Sequence, residues 1–303
     1  MAVLTTGDLT IPTSVFTPWV KKIHEGSAIM QLTPGEPMKF GKGEAFTFDT
    51  GEAEYVGEGQ NKGASDVTSS VQRIEPFKFH KTLRWTEEVM WADEDHQLGV
   101  VQELLNQIQP ALSRALDFGV IHGINPTGGA PVSAMTQTLT ATTNEVEFDA
   151  SAQNPHDATD DATAAILGAG GVPNGLAADP EFAAKIVGVR DKDGRKLYPD
   201  FSFAEGSTFE SLSTAVSRTV GAKGVAATDT NLLAIQGDFS AVRWGIQKAI
   251  GLEVIQYGDP DGQGDLKRNN QVAFRAEVVY GWGIADVNRN FAKIVKTGAG
   301  SGE

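Results

Sequence analysis

The stretch Tyr55–Asp66 reads Y-V-G-E-G-Q-N-K-G-A-S-D and sets three glycines around one lysine, Lys62. Glycine-rich loops let a backbone close on a phosphate, and a lysine can neutralise it. A Walker-type loop needs G-x-x-x-x-G-K followed by Ser or Thr. Here Lys62 precedes Gly63 and no hydroxyl residue follows in register. Gly57-x-Gly59 lacks the third glycine of a dinucleotide fingerprint. The stretch therefore reads as a bending hairpin tip. Gly168-Ala-Gly-Gly171 follows a helical pattern instead of a strand and reads as a helix stop.

Other patterns of chemical interest fail in the same way. Asp259-Pro-Asp261-Gly-Gln-Gly264-Asp265 opens like a calcium loop, but its twelfth position is Asn270 where a bidentate glutamate is needed. Asp191-Lys-Asp193-Gly194 also lacks a closing glutamate, so both read as tight turns. His24, His80, His96, His122 and His156 stand singly, with no H-x-x-x-H and no G-x-S-x-G. With no cysteine, disulfides, thiolate metal sites and cysteine nucleophiles are excluded. No cofactor and no metal is expected.

The chain carries 303 residues and a net charge of −14, with no Lys/Arg run longer than two. Sequence-specific nucleic-acid binding needs clustered cations and is not expected. The acidity suits solubility, and also a surface that lies near DNA without adhering to it. No apolar run approaches a membrane span.

The elements that would position these residues follow from periodicity. Residues 1–11 form a short mixed arm ended by Pro12, and residues 14–31 show a helical spacing at Val15, Phe16, Trp19, Val20 and Ile23. From Pro37 to Thr86 the pattern alternates, predicting a long antiparallel excursion with Tyr55–Asp66 near its tip. It reads as K-F-G-K-G-E-A-F-T-F-D-T going out, then V-T-S-S-V-Q-R-I and P-F-K-F-H-K-T-L-R-W alternating again after the glycine-rich stretch. Residues 92–122 carry the strongest helical stripe: Leu98, Val101, Leu105, Ile108, Leu112 and Leu116. Asp93–Asp95 suit its start, Pro110 predicts a kink, and Gly119 and Gly123 mark its end. Beyond residue 155 the pattern is mixed: helices over 157–167 and 181–187, a buried strand at Leu232–Ile235, and long strands near the C-terminus. An arm and a hairpin that cannot bury themselves point to a subunit completed by its neighbours.

Four segments, taken in order, resemble the major capsid protein of tailed bacteriophages, with the Hong Kong ninety-seven type of capsid fold. They are Y-V-G-E-G-Q-N-K-G-A-S-D-V-T with W-T-E-E-V-M; A-L-D-F-G-V-I-H-G-I-N-P-T-G; L-A-A-D-P-E-F-A-A-K-I-V-G-V-R-D-K-D-G-R-K-L-Y; and G-D-F-S-A-V-R-W-G-I with G-W-G-I-A-D-V-N-R-N-F-A-K-I-V. The resemblance implies an α+β chain divided into an N-arm and first helix (1–32), an E-loop (33–76), a P-domain with a long spine helix (77–135), a mixed α/β A-domain (136–270) and a P-domain return with the C-terminus (271–303). It implies a structural protein, not a turnover enzyme. Copies of itself would form pentamers and hexamers of an icosahedral shell around double-stranded DNA. Other partners would be a separate scaffold, a portal and decoration proteins. Assembly would take place in the bacterial host cytoplasm, and the product would be the virion capsid. An encapsulin-type compartment for a protein cargo, or a small-molecule enzyme using residues 155–260, are the alternatives.

Some members of that family weld subunits by an isopeptide bond between an E-loop lysine and a P-domain asparagine, helped by a glutamate from a third subunit. Lys62, Asn270 and Glu277 match that order. A desolvated lysine loses its proton more readily, and a nearby carboxylate can accept it. The ordinary readings stay open: Lys62 as a solvated tip, Asn269 or Asn270 as turn residues, and Glu277 as a partner of Arg275.

Overall fold

The computed structural model describes residues 26–49, 53, 55–61, 68–89, 91, 100–203 and 206–297. The predicted arm, Lys62 and the acidic start of the long helix lie outside these residues.

Two sheets organise the rest. The first has strand order β1-β2-β9-β8, built from Gly43–Asp49 (β1), Thr68–Thr86 (β2), Val242–Ile255 (β8) and Gln271–Ile284 (β9). All of its pairings are antiparallel. The second has order β3-β10-β7-β4-β6-β5, from Glu145–Phe148 (β3), Gly175–Ala178 (β4), Ser207–Phe209 (β5), Leu212–Val216 (β6), Leu232–Gly237 (β7) and Phe291–Lys296 (β10). Segment 136–270 thus gives β8 to the first sheet, and segment 271–303 gives β10 to the second.

Both alternating stretches of the return arm belong to one strand, Thr68–Thr86. Pro76 breaks the pattern in sequence but not in space. β1 pairs with β2 only as far as Ile74, and β9 takes over from Glu75. Pro76 falls just past that change of partner, where one side of β2 carries no ladder and a missing N–H is tolerated.

Strand alternation separates two cores. On β7, Leu232 and Ile235 enter one cluster while Leu233 and Ala234 enter the other. On β10, Phe291 and Val295 face the first and Ala292 and Ile294 the second. The period of two gives this sorting on β10; on β7 the ladder with β10 shifts register between Ala234 and Leu232, and that irregularity puts the adjacent Leu233 and Ala234 in the same core. Helices Pro155–Gly168 and Pro180–Gly188 cover one face through Ala158, Ala162, Ile166, Phe182 and Ile186. Their starts are written in the sequence. Asn154 and Asp157 form a reciprocal capping box before Pro155, and Asp179 accepts from Glu181 N at 2.9 Å before Pro180.

The other core joins the sheets to the long helix, Val100–Asp117, through Leu116, Val120, Ile121, Tyr280 and Trp282. Pro110 lies inside this helix. A single wider turn, Phe118–His122, ends it at Gly123, whose φ of 66° is left-handed. Gly119 has a packing reason as well: a Cβ there would stand 2.6 Å from Trp282 Cη2.

Candidate functional site

Asn270 ends a short 3-10 turn, Lys267–Asn269, with a left-handed φ of 54°. The turn places it just before β9, against the end of β2. Its side-chain Nδ2 donates to Glu88 Oε1 at 2.6 Å. Its carbonyl accepts from Glu87 N at 3.0 Å, and Lys267 Nζ reaches Glu87 Oε1 at 3.0 Å. The junction between residues 86–88 and 267–271 is therefore tied on both the backbone and the side chains. Hydrogen bonds from its own backbone, Asn270 and Thr86 hold the Glu88 carboxyl below its ordinary value.

Glu277 lies seven positions on, in the middle of β9 opposite His80. At ~3.3 Å per strand residue the two are about 23 Å apart along the chain. Glu277 Oε2 pairs with Lys78 Nζ at 2.6 Å, and that contact lowers its pKa. Arg275, the partner weighed for it in the sequence, instead donates to Thr82 Oγ1 at 3.0 Å and to the Pro260 carbonyl. The structure does not bring Asn270 and Glu277 together within one subunit, and Lys62 is outside the described residues. Glu88 carried no sequence signal. It is one of two adjacent glutamates in W-T-E-E-V, and only the turn geometry selects it.

The acidic turn at 259–265 is organised by Arg84, whose side chain is 3% exposed. Its guanidinium donates to Asp259 Oδ1 (3.2 Å), Asp261 Oδ1, the carbonyls of Gln263 (3.3 Å) and Gly264 (3.0 Å), and Gln271 Oε1 (3.2 Å). Asp259 also accepts from Gln263 N and Gly264 N, both at 2.9 Å. The aspartates that resembled a calcium loop are thus engaged by a guanidinium and by amides. Among the described residues no cluster has the makings of a metal site. Asp191 likewise closes its own turn, accepting from Asp193 N (2.9 Å) and Arg195 N (2.8 Å).

At the end of the long helix, Asp117 is fully buried. Oδ1 accepts from Ser27 Oγ and from Ile29 N (3.2 Å); Oδ2 accepts from Ala28 N (2.7 Å) and from Thr219 Oγ1 (2.5 Å). One carboxylate thereby joins the first described segment, the helix end and the turn after β6. Burial pushes its pKa up, opposed by those four donors. One turn further on, His122 Nε2 faces the carbonyls of Thr219 (3.1 Å) and Val220 (2.8 Å), so this nitrogen carries the proton. Burial pushes the imidazole pKa down.

His122 also lines a cleft of about 410 Å³ with Glu145, Asp229, Thr230 and Lys293. Lys293 and Glu145 are paired there at 2.9 Å. His122 is occupied by carbonyls, and no nucleophile with a base is assembled in the cleft.

The phage capsid family model matches residues 7–295. No curated protein matches the chain. Among solved structures, one from Mycobacterium phage Ogopogo is 39% identical, covers 97% of this chain and 100% of its own, and superposes with a TM-score of 0.83. One from Gordonia phage Cozz is 30% identical over 96% and 93% of the two chains, with a TM-score of 0.76. The capsid of an empty GTA particle shares the fold at 15% identity, covering 89% of each chain with a TM-score of 0.57. The α+β architecture with two sheets and one long helix is therefore that of phage shell proteins, and the chain belongs to the phage capsid family.

Proposed function

We propose that this capsid protein assembles with copies of itself, as pentamers and hexamers, into an icosahedral shell enclosing double-stranded DNA in the host cytoplasm. A separate scaffold, a portal and decoration proteins are its other partners. The observation that carries the reading is the 39% identity to a phage structure over essentially the whole of both chains. The net charge of −14 supports DNA enclosure without adhesion, because like charge keeps phosphate off the wall. Nuclease-protected DNA in purified particles tests this; particles that protect only protein would overturn it.

The crosslink is part of the same proposal. Lys62 of one subunit attacks the side-chain amide of Asn270 of another, and Glu277 from a third takes the lysine proton. The half-buried Asn270, fixed at a turn, supports it, and so does the separation of Glu277 from Asn270, which requires different subunits. Within its own subunit Glu277 is paired to Lys78, so assembly must loosen that contact before Glu277 serves as a base. Mature particles boiled in detergent should run as a ladder of covalent oligomers. Monomer bands alone would end the crosslink reading and leave the shell reading intact.

A further inference from the structure

Two asparagines stand side by side at the turn before β9, and their surroundings differ. Asn269 Nδ2 donates to the backbone carbonyl of Asp265 at 3.0 Å. Asn270 Nδ2 instead donates to a carboxylate, Glu88 Oε1, at 2.6 Å. The contact is braced from both sides by the Glu87 amide on the Asn270 carbonyl and by Lys267 on Glu87. The Asn270 amide is thereby held in one rotamer, with its nitrogen on a charged acceptor.

That nitrogen is the one an isopeptide bond must expel. An amide nitrogen leaves as ammonia only after it gains a proton, and the attacking amine must lose one. The carboxylate proposed above as helper, Glu277, lies about 23 Å along β9 at ~3.3 Å per residue and is bound to Lys78. It does not serve the leaving nitrogen of its own subunit.

We infer that Glu88 is the second carboxylate of the crosslink, holding the Asn270 amide in place and passing a proton to its departing nitrogen. This rests on the crosslink reading above. The amine of a second copy adds to Asn270 Cγ, forming the new C–N bond. Glu277 has already taken one proton from the lysine ammonium; the second proton, shed by the nitrogen after it adds, goes to Glu88 Oε1, which returns it to Nδ2. The Cγ–Nδ2 bond then breaks, ammonia leaves, and Glu88 ends as the carboxylate it began. No oxidant or cofactor enters. The two carboxylates divide the work: Glu277 of another subunit acts on the lysine, and Glu88 acts on the leaving group. Hydrogen bonds from its own backbone and from Asn270 hold the Glu88 pKa below its ordinary value, so it enters the reaction ionised.

The test uses full-length protein assembled into particles: wild type, Glu88→Gln, Glu88→Asp and Lys62→Arg. Shells are checked by electron microscopy, and ladder formation is followed over time. Glu88→Gln keeps a hydrogen-bond acceptor but cannot relay a proton. It should form normal shells and slow the ladder by about a hundredfold, the scale of general acid–base catalysis. Glu88→Asp should recover part of the rate. A wild-type ladder lost in Lys62→Arg but unchanged in Glu88→Gln overturns the role of Glu88 and leaves the crosslink standing. A wild type without a ladder removes both. If no Glu88 variant forms shells, Glu88 is a structural residue and the inference fails.

Discussion

Replacing Asp117 by asparagine removes an acceptor and puts a donor in its place. Each carboxylate oxygen takes one hydroxyl and one backbone amide: Ser27 Oγ with Ile29 N on Oδ1, and Thr219 Oγ1 with Ala28 N on Oδ2. Whichever way the new amide turns, its NH₂ faces one hydroxyl and one backbone N–H. The hydroxyl can rotate and accept; Thr219 already has Ser217 Oγ within 2.8 Å. The backbone amide cannot. One buried N–H is orphaned, at ~1–3 kcal/mol. Relief of the buried charge offsets part of this, so the net loss should be about 1 kcal/mol or more. Asp117→Leu orphans both amides and should cost roughly 2–6 kcal/mol, being two such groups. The assay is urea unfolding of unassembled subunits, read by the shift in midpoint at constant slope. Stability of Asp117→Asn equal to or above wild type would refute the reasoning. It would mean that the segment at 26–32 is not fixed by this carboxylate.

Two other perturbations have signs fixed by the geometry. His122 is held neutral by burial, with its folded pKa below the ordinary value of 6.5; the unfolded chain therefore binds the proton first, and stability falls as pH drops below about 6.5 toward the lowered value. His122→Gln keeps a donor for the carbonyls of Thr219 and Val220, and should flatten the slope of urea midpoint against pH between 7 and 5, a window set by the ordinary histidine value of about 6.5. Arg84→Met removes the only cation within bonding distance of both Asp259 and Asp261 in the described turn. Breaking a buried pair on one side costs ~3–5 kcal/mol; Asp259 is partly solvated, so the low end is expected, with limited proteolysis cutting first within 256–270. Unchanged protease resistance would show that the turn holds without the guanidinium.

Much of the frame was legible because it rests on local chemistry. The caps at Asn154 and Asp179, the helix ends at Gly123 and Gly168, and the buried strand from Leu232 all carry signals within a few residues. Pro76 is tolerated inside β2 because the partner strands change beside it and remove the need for its N–H. Arg84, Glu88 and Lys78 were illegible. Each acts on residues about 175 to 200 positions away, at Asp259–Asp261, Asn270 and Glu277. Only the pairing of β2 with β9 sets those distances. The resemblance to a shell protein came through because several weak segments kept their order over the whole chain. The resemblance singled out Asn270 but not Glu88, the carboxylate that touches it.

Cryo-electron microscopy of the purified full-length protein, expressed with its scaffold where one is required, tests the central claim most directly. Closed shells with five- and six-fold clusters of this chain and continuous contacts between them are expected. A compact small oligomer that never closes, under conditions where the subunit is folded, would contradict it.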